Sequence, residues 1–196
     1  MKYIGVIVLI FTSLPLFGQP PEENMEMDCY LQSIRIEGET NVNEFYFEYR
    51  QEYDAKSLLK QEANSCNDDS SFIAFRIPVH SFTGSNPMMK EDFQELLKAS
   101  LFPFIIVKVD KKTITDITRY NVHPDLTMYL TLAGRTRFIS GSYAWENYKD
   151  NKIIISGSTS LHLSDFKLEP PQKMMGLLKV KDAIFIKFDI VLDLNA

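Results

Sequence analysis

The chain has 196 residues, 45% of them hydrophobic, and a formal net charge of −5. That is enough apolar material for one globular core, at the length of a single domain. The acidic balance speaks against a nucleic-acid partner, which needs a basic face, and equally against docking to anionic lipid by charge.

Met1-Lys2 is a short basic start, and Tyr3 to Phe17 is an almost uncharged apolar run ahead of Gly18-Gln19-Pro20. This is the layout of a secretory signal peptide over residues 1–18, with cleavage expected after Gly18. The run is short for a membrane span, so no stable span is expected after cleavage. The expected location is outside the cytoplasm, periplasmic in a Gram-negative source. Residues 19–32 are polar, acidic and Pro-containing at their start, and read as a flexible lead-in. The folded domain is then expected over 33–196.

Two cysteines occur, Cys29 before the first strand and Cys66 in the polar loop after the second. Export permits a disulfide between them, and two free thiols are the alternative. Neither has a His or Cys at ligand spacing, so no metal is expected.

Residues 33–38 (SIRIEG) and 44–53 (EFYFEYRQEY) read as two strands across the turn ETNVN. The segment 72–82 (FIAFRIPVHSF) alternates as a third, with Pro78 marking an edge or a bulge. Asn86 and Pro87 then open a helix on which Phe93, Leu96 and Leu97 share a face, ending near Ala99. Strands follow at 104–110, 126–133, 136–145 and 152–163, the last two paired across ENYKDN. A loop through Pro170-Pro171 and Met174-Met175-Gly176 leads to the last strand, 182–194 (DAIFIKFDIVLDL). From Ile184 to Leu194 the even positions are apolar and the odd ones carry the charges, which is the period of a sheet with one dry face.

About eight strands, one short helix and no βαβ alternation predict a mainly β fold. The arrangement expected is an antiparallel, lipocalin-like barrel with the helix packed beside it. The phase of each strand selects the inward side chains: Phe45 and Phe47; Ile73, Phe75 and Ile77; Ile105 and Val107; Met128 and Leu130; Leu161; and Ile184, Ile186, Phe188 and Ile190. These either line a cavity or fill the barrel with their own bulk.

Catalysis finds no support. His80, His123 and His162 share no ligand spacing, and His80 and His162 fall on outward phases. Ser-Gly-Ser at 140–142 and 156–158 lacks the form of a nucleophile elbow. Asp165 and Glu169 are a loose carboxylate pair that the sequence does not bring together. The loop around Met174 and Met175 reads either as a lid over the barrel mouth or as ordinary core packing, as do Met88 and Met89.

Several short stretches, in order, resemble the YceI-like family of exported lipid- and polyisoprenoid-binding proteins. They are IEGETNVNEF at 36–45, FRIPVHSF at 75–82 followed by Asp92-Phe93 and Leu96-Leu97, PFIIV at 103–107, LTLAG at 130–134, SDF at 164–166, and the closing strand. Ala133 stands where the family's turn usually has His, and the Pro170-Pro171 loop diverges. The resemblance implies a barrel holding an isoprenoid-type chain, and hence a binding protein rather than an enzyme, with no cofactor. The fourteen inward residues would then line the ligand site. The alternative is an envelope structural or interaction protein with a filled barrel, its outward aromatics Tyr46, Tyr129 and Phe185 serving as contacts.

Overall fold

A computed structural model describes residues 28–51, 71–84, 87–120, 126–148, 151–173 and 177–193. The expected signal peptide, Cys66, Asn86, His123 and the Met174-Met175-Gly176 segment lie outside the described residues.

The described residues form ten strands and two α-helices. The strands are β1 (Asp28–Thr40), β2 (Glu44–Arg50), β3 (Phe72–Pro78), β4 (Thr83–Gly84), β5 (Phe104–Asp110), β6 (Leu126–Leu132), β7 (Arg135–Tyr148), β8 (Lys152–His162), β9 (Gln172–Lys173) and β10 (Leu178–Asp193). The helices are α1 (Pro87–Leu96) and α2 (Lys111–Tyr120). Eight strands run seven residues or longer, while β4 and β9 have two each. The eight long strands therefore agree with the expected count.

All pairings are antiparallel, in the order β3-β5-β6-β7-β8-β10-β1-β2-β4, with β9 on the side of β10. The two ends of this order, β3 and β4, are neighbours in the chain. Only residues 79–82 join them, as a short 3-10 turn at Val79–Ser81 and then Phe82. Such a link reaches at most about 18 Å, so the sheet must curl until its edges approach. The result is a curled, barrel-like wall with a seam.

Helix α1 packs beside the seam, against the link and β2. Phe93 stacks on Phe47 of β2 with ring centroids 4.4 Å apart, and packs against Phe82 of the link at 5.3 Å. The helix thus packs beside the barrel, as the sequence reading expects, and turns one face toward its interior.

Four differences from the sequence reading stand out. β1 begins at Asp28, so residues 28–32 of the expected lead-in are strand. A register shift between Leu31 and Ser33 leaves Gln32 as an extra residue. The bulge moves the inward phase from Cys29 and Leu31 to Ile34, which destroys the alternation that would announce the strand. β3 stops at Pro78, because proline has no N–H to donate, and β3 is an edge strand. β10 starts at Leu178, four residues before Asp182.

The fourth difference is α2, which the sequence reading lacks. Its stretch KKTITDITRY is crowded with β-branched residues, which weaken helix propensity. Asp110, read as a strand end, accepts the Lys112 N–H at 2.8 Å and so caps the helix. That Asp, with Ile114 and Ile117 three apart, was the signal to be found. Ile114 is fully buried.

The β6–β7 turn holds Ala133 and Gly134, both at positive φ (46° and 75°). Two such residues give the hairpin turn whose twist matches the strands. Gly134 is also needed because the Phe102 ring lies against it, where a Cβ would collide.

Candidate ligand-binding cavity

Inside the curled sheet lies a cavity of about 500 Å³. Of the fourteen inward residues named from the sequence, twelve line it: Phe45, Phe47, Phe75, Ile105, Val107, Met128, Leu130, Leu161, Ile184, Ile186, Phe188 and Ile190. Ile73 and Ile77 are buried but do not reach the lumen. They flank Phe75 near the ends of edge strand β3, opposite Val109 and Ile105. Phase alone puts a side chain inside; only position along the barrel decides whether it meets the void.

The sequence reading missed the contributions of β1, α1 and the loops. Leu31, Ile34 and Ile36 of β1 line the cavity, as do Met89, Asp92, Phe93 and Leu96 of α1. The bulge hid Leu31, while Ile34 and Ile36 lie in a strand that the sequence reading recognised without assigning its inward face. The second became visible only when the seam required a cover.

The polar members of the lining are Thr40, Asn43, Asp92 and Thr159. Thr40 Oγ1 is 2.9 Å from the Asn43 carbonyl, to which it donates, and accepts the Asn43 N–H at 2.9 Å. Thr159 Oγ1 donates to the Ser140 carbonyl at 2.8 Å. These hydroxyls are engaged by the wall itself, which leaves an apolar surface to any occupant.

The cavity is blind at one end. Cys29, Leu126, Ile153, Ile155 and Leu192 are buried at the end holding the β7–β8 turn, and none lines the void. They interlock across the sheet, Cys29 opposite Leu192 and Leu192 opposite Ile153. At the other end the lining runs out to Thr40, Asn43, Pro171, Leu178 and Val180, in or beside the β1–β2 and β9–β10 connections. That end is the mouth.

Phe188 shapes the lumen. It faces Gly157 across the β8–β10 pair, and its ring occupies the place a Cβ on Gly157 would take. The Ser-Gly-Ser pieces serve the wall in the same manner. Ser156 donates to Asp189 Oδ1 and Ser33 to Oδ2, both at 2.7 Å, tying β8, β10 and β1 on the outside.

His80 and His162 are exposed, and His162 lies 3.9 Å from Asp165. Asp165 and Glu169 are both exposed. Among the described residues, no group of three or more His, Cys, Asp or Glu could hold a metal. Cys29 is disulfide-bonded, and the sequence has one other cysteine, Cys66. Of the outward aromatics, Tyr129 stacks edge-on with Phe72 and Phe138, while Arg35 covers Tyr46 at 3.9 Å.

The YceI-like domain model matches residues 32–192. The chain belongs to the YceI-like family. Its fold is similar to that of BcnA from Burkholderia cenocepacia, at 16% identity and a TM-score of 0.53, over 81% of this chain and 94% of that one. It is similar also to a polyisoprenoid-binding domain from Saccharophagus degradans, at 10% identity and a TM-score of 0.61, over 86% and 98%. At those identities the likeness is one of fold. No significant relative is found among curated proteins. The mainly β, lipocalin-like architecture expected from the sequence is thus the architecture of this YceI-like protein.

Proposed function

We propose that this protein holds a single apolar lipid chain of the isoprenoid class inside its barrel, as a carrier or store and not as an enzyme. One observation carries this reading: an interior void of about 500 Å³ walled almost wholly by aliphatic and aromatic side chains. Cores normally close such space, because voids forfeit dispersion contacts and apolar burial. A retained apolar cavity of this size is within the range of ligand sites, and an apolar occupant gains roughly 25 cal/mol for each Å² it removes from water. The family membership and the polyisoprenoid-binding domain of similar fold support the ligand class. The blind end favours a chain inserted tip first, its polar terminus left near Thr40 and Asn43. The fourteen residues named from the sequence are proposed as the hydrophobic lining and its support.

Export is part of the same proposal. The apolar run at residues 3–17 supports it, and so does the disulfide at Cys29, a bond that persists in oxidising compartments.

Organic extraction of the purified protein followed by mass spectrometry is expected to reveal a bound isoprenoid-type lipid. Delipidated protein is expected to take up a farnesyl chain carrying an anthranilate fluorophore. Val107→Phe, which puts a ring into the lumen, should weaken that uptake about tenfold while costing less than the ~1–3 kcal/mol of overpacking a solid core. No copurifying lipid together with no uptake would end the carrier reading.

A further inference from the structure

The most exposed aliphatic side chains among the described residues are Val42, Leu101 and Leu177, at 71%, 73% and 76%. None sits on the barrel wall. Val42 is in the β1–β2 turn and Leu177 immediately precedes β10. Those two connections are bound together: the Asn41 side-chain N–H donates to the Leu177 carbonyl at 2.8 Å, and the Lys179 N–H donates to Asn41 Oδ1 at 3.0 Å. Their chain neighbours Thr40, Asn43 and Leu178 line the cavity. Leu101 belongs to the same end, since Phe102 beside it packs on the β6–β7 turn at Gly134.

We infer that the mouth of the barrel rests on a phospholipid bilayer through the tips Val42 and Leu177. The inference rests on the proposed lipid cavity, whose mouth these tips flank. A lipid chain leaving a bilayer for the lumen would otherwise cross water, exposing its whole apolar surface. Tips that dip into the bilayer let the mouth meet the acyl region directly. Isolated aliphatic tips on separate loops, with no shared apolar floor, suit a fluid surface better than the packed centre of a protein interface. The surrounding charges are mixed: Lys181 pairs with Glu39, while Lys179 and Glu44 are exposed. Contact should therefore come from insertion, and not from attraction to anionic headgroups.

The test places a reporter at the tip. The chain has one tryptophan, Trp145, in the barrel wall on β7. Leu177→Trp in the full chain, without added ligand, is mixed with phosphatidylcholine vesicles whose acyl chains are brominated. Its emission should fall about twofold by insertion of the tip, in salt and without anionic lipid. Tyr129→Trp, on the outer wall, and the native protein should change little. Quenching of Leu177→Trp no greater than that of Tyr129→Trp, or seen only with anionic vesicles at low salt, overturns the inference. Because no ligand is present, this result stands apart from any failure of uptake. A second arm uses the exposed pair Val42→Asp with Leu177→Asp. It should slow uptake of the fluorescent farnesyl probe from vesicles about tenfold while leaving its uptake from dilute ethanol unchanged. Equal rates of transfer from vesicles in variant and native protein also overturn it.

Discussion

Gly157 and Phe188 share one volume: the ring of Phe188 fills the space that any β-carbon at residue 157 would need. Gly157 lies on the inward face of β8, so the missing side chain lets the ring lie back on the wall.

Gly157→Ala should push that ring toward the lumen. The expected cost is about 1–3 kcal/mol for a strained wall, read as a shift of the urea midpoint. Uptake of the farnesyl probe should weaken in parallel. Unchanged uptake with intact folding would mean that Phe188 does not set the lumen's width.

Ile155 and Ile186 give a paired comparison of the same deletion. Ile155 is fully buried in the plug, away from the void, whereas Ile186 is half-buried and lines it. Ile155→Ala should cost about 2–5 kcal/mol by opening a new hole. Ile186→Ala loses contacts on one side only and should cost distinctly less. Urea denaturation of the two variants measures the gap, and equal losses would argue that the interior is packed solid throughout.

The Asp182 carboxyl is held below its ordinary pKa of 3.8, chiefly by the Ser164 hydroxyl, which donates to it at 2.6 Å. The Ser164 N–H and the charge of His162 act in the same direction. A lowered folded-state value means the stabilisation is present above about pH 4 and is lost as pH falls through the folded pKa. Ser164→Ala should raise the Asp182 midpoint toward its ordinary value in a carbon-13 NMR titration. An identical midpoint in both proteins would assign the shift to the backbone and His162 instead.

Cys29 is disulfide-bonded and buried in the plug opposite Leu192. Cys29→Ser should lower stability by about 2–4 kcal/mol under oxidising conditions, with little effect in reductant relative to reduced native protein. Thermal melts with and without reductant separate these. A loss that persists equally in reductant would point to packing of the sulfur and not to the bond.

Much of the wall was readable in advance. Strands such as β10 and β6 bury one face and wet the other, and this writes a period of two into the chain. The reading failed where local rules were broken. The bulge at Gln32 disguised the start of β1, and β-branched residues disguised α2 despite the cap at Asp110. Leu163 and Pro171 reach the lumen from connections, where no periodicity exists to reveal them.

The amino-acid sequence alone determined the mainly β class, the eight long strands and the side chains that face inward, because alternation is a local consequence of backbone geometry. Tertiary structure decided the rest. The short link from Pro78 to Thr83 brings the sheet's edges near each other, and α1 packs against that link and β2. Whether inward residues become a packed plug, as at Ile155, or a void, as at Ile186, depends on the spacing of walls distant in the chain. Volume is a property of many strands together, and no single strand encodes it.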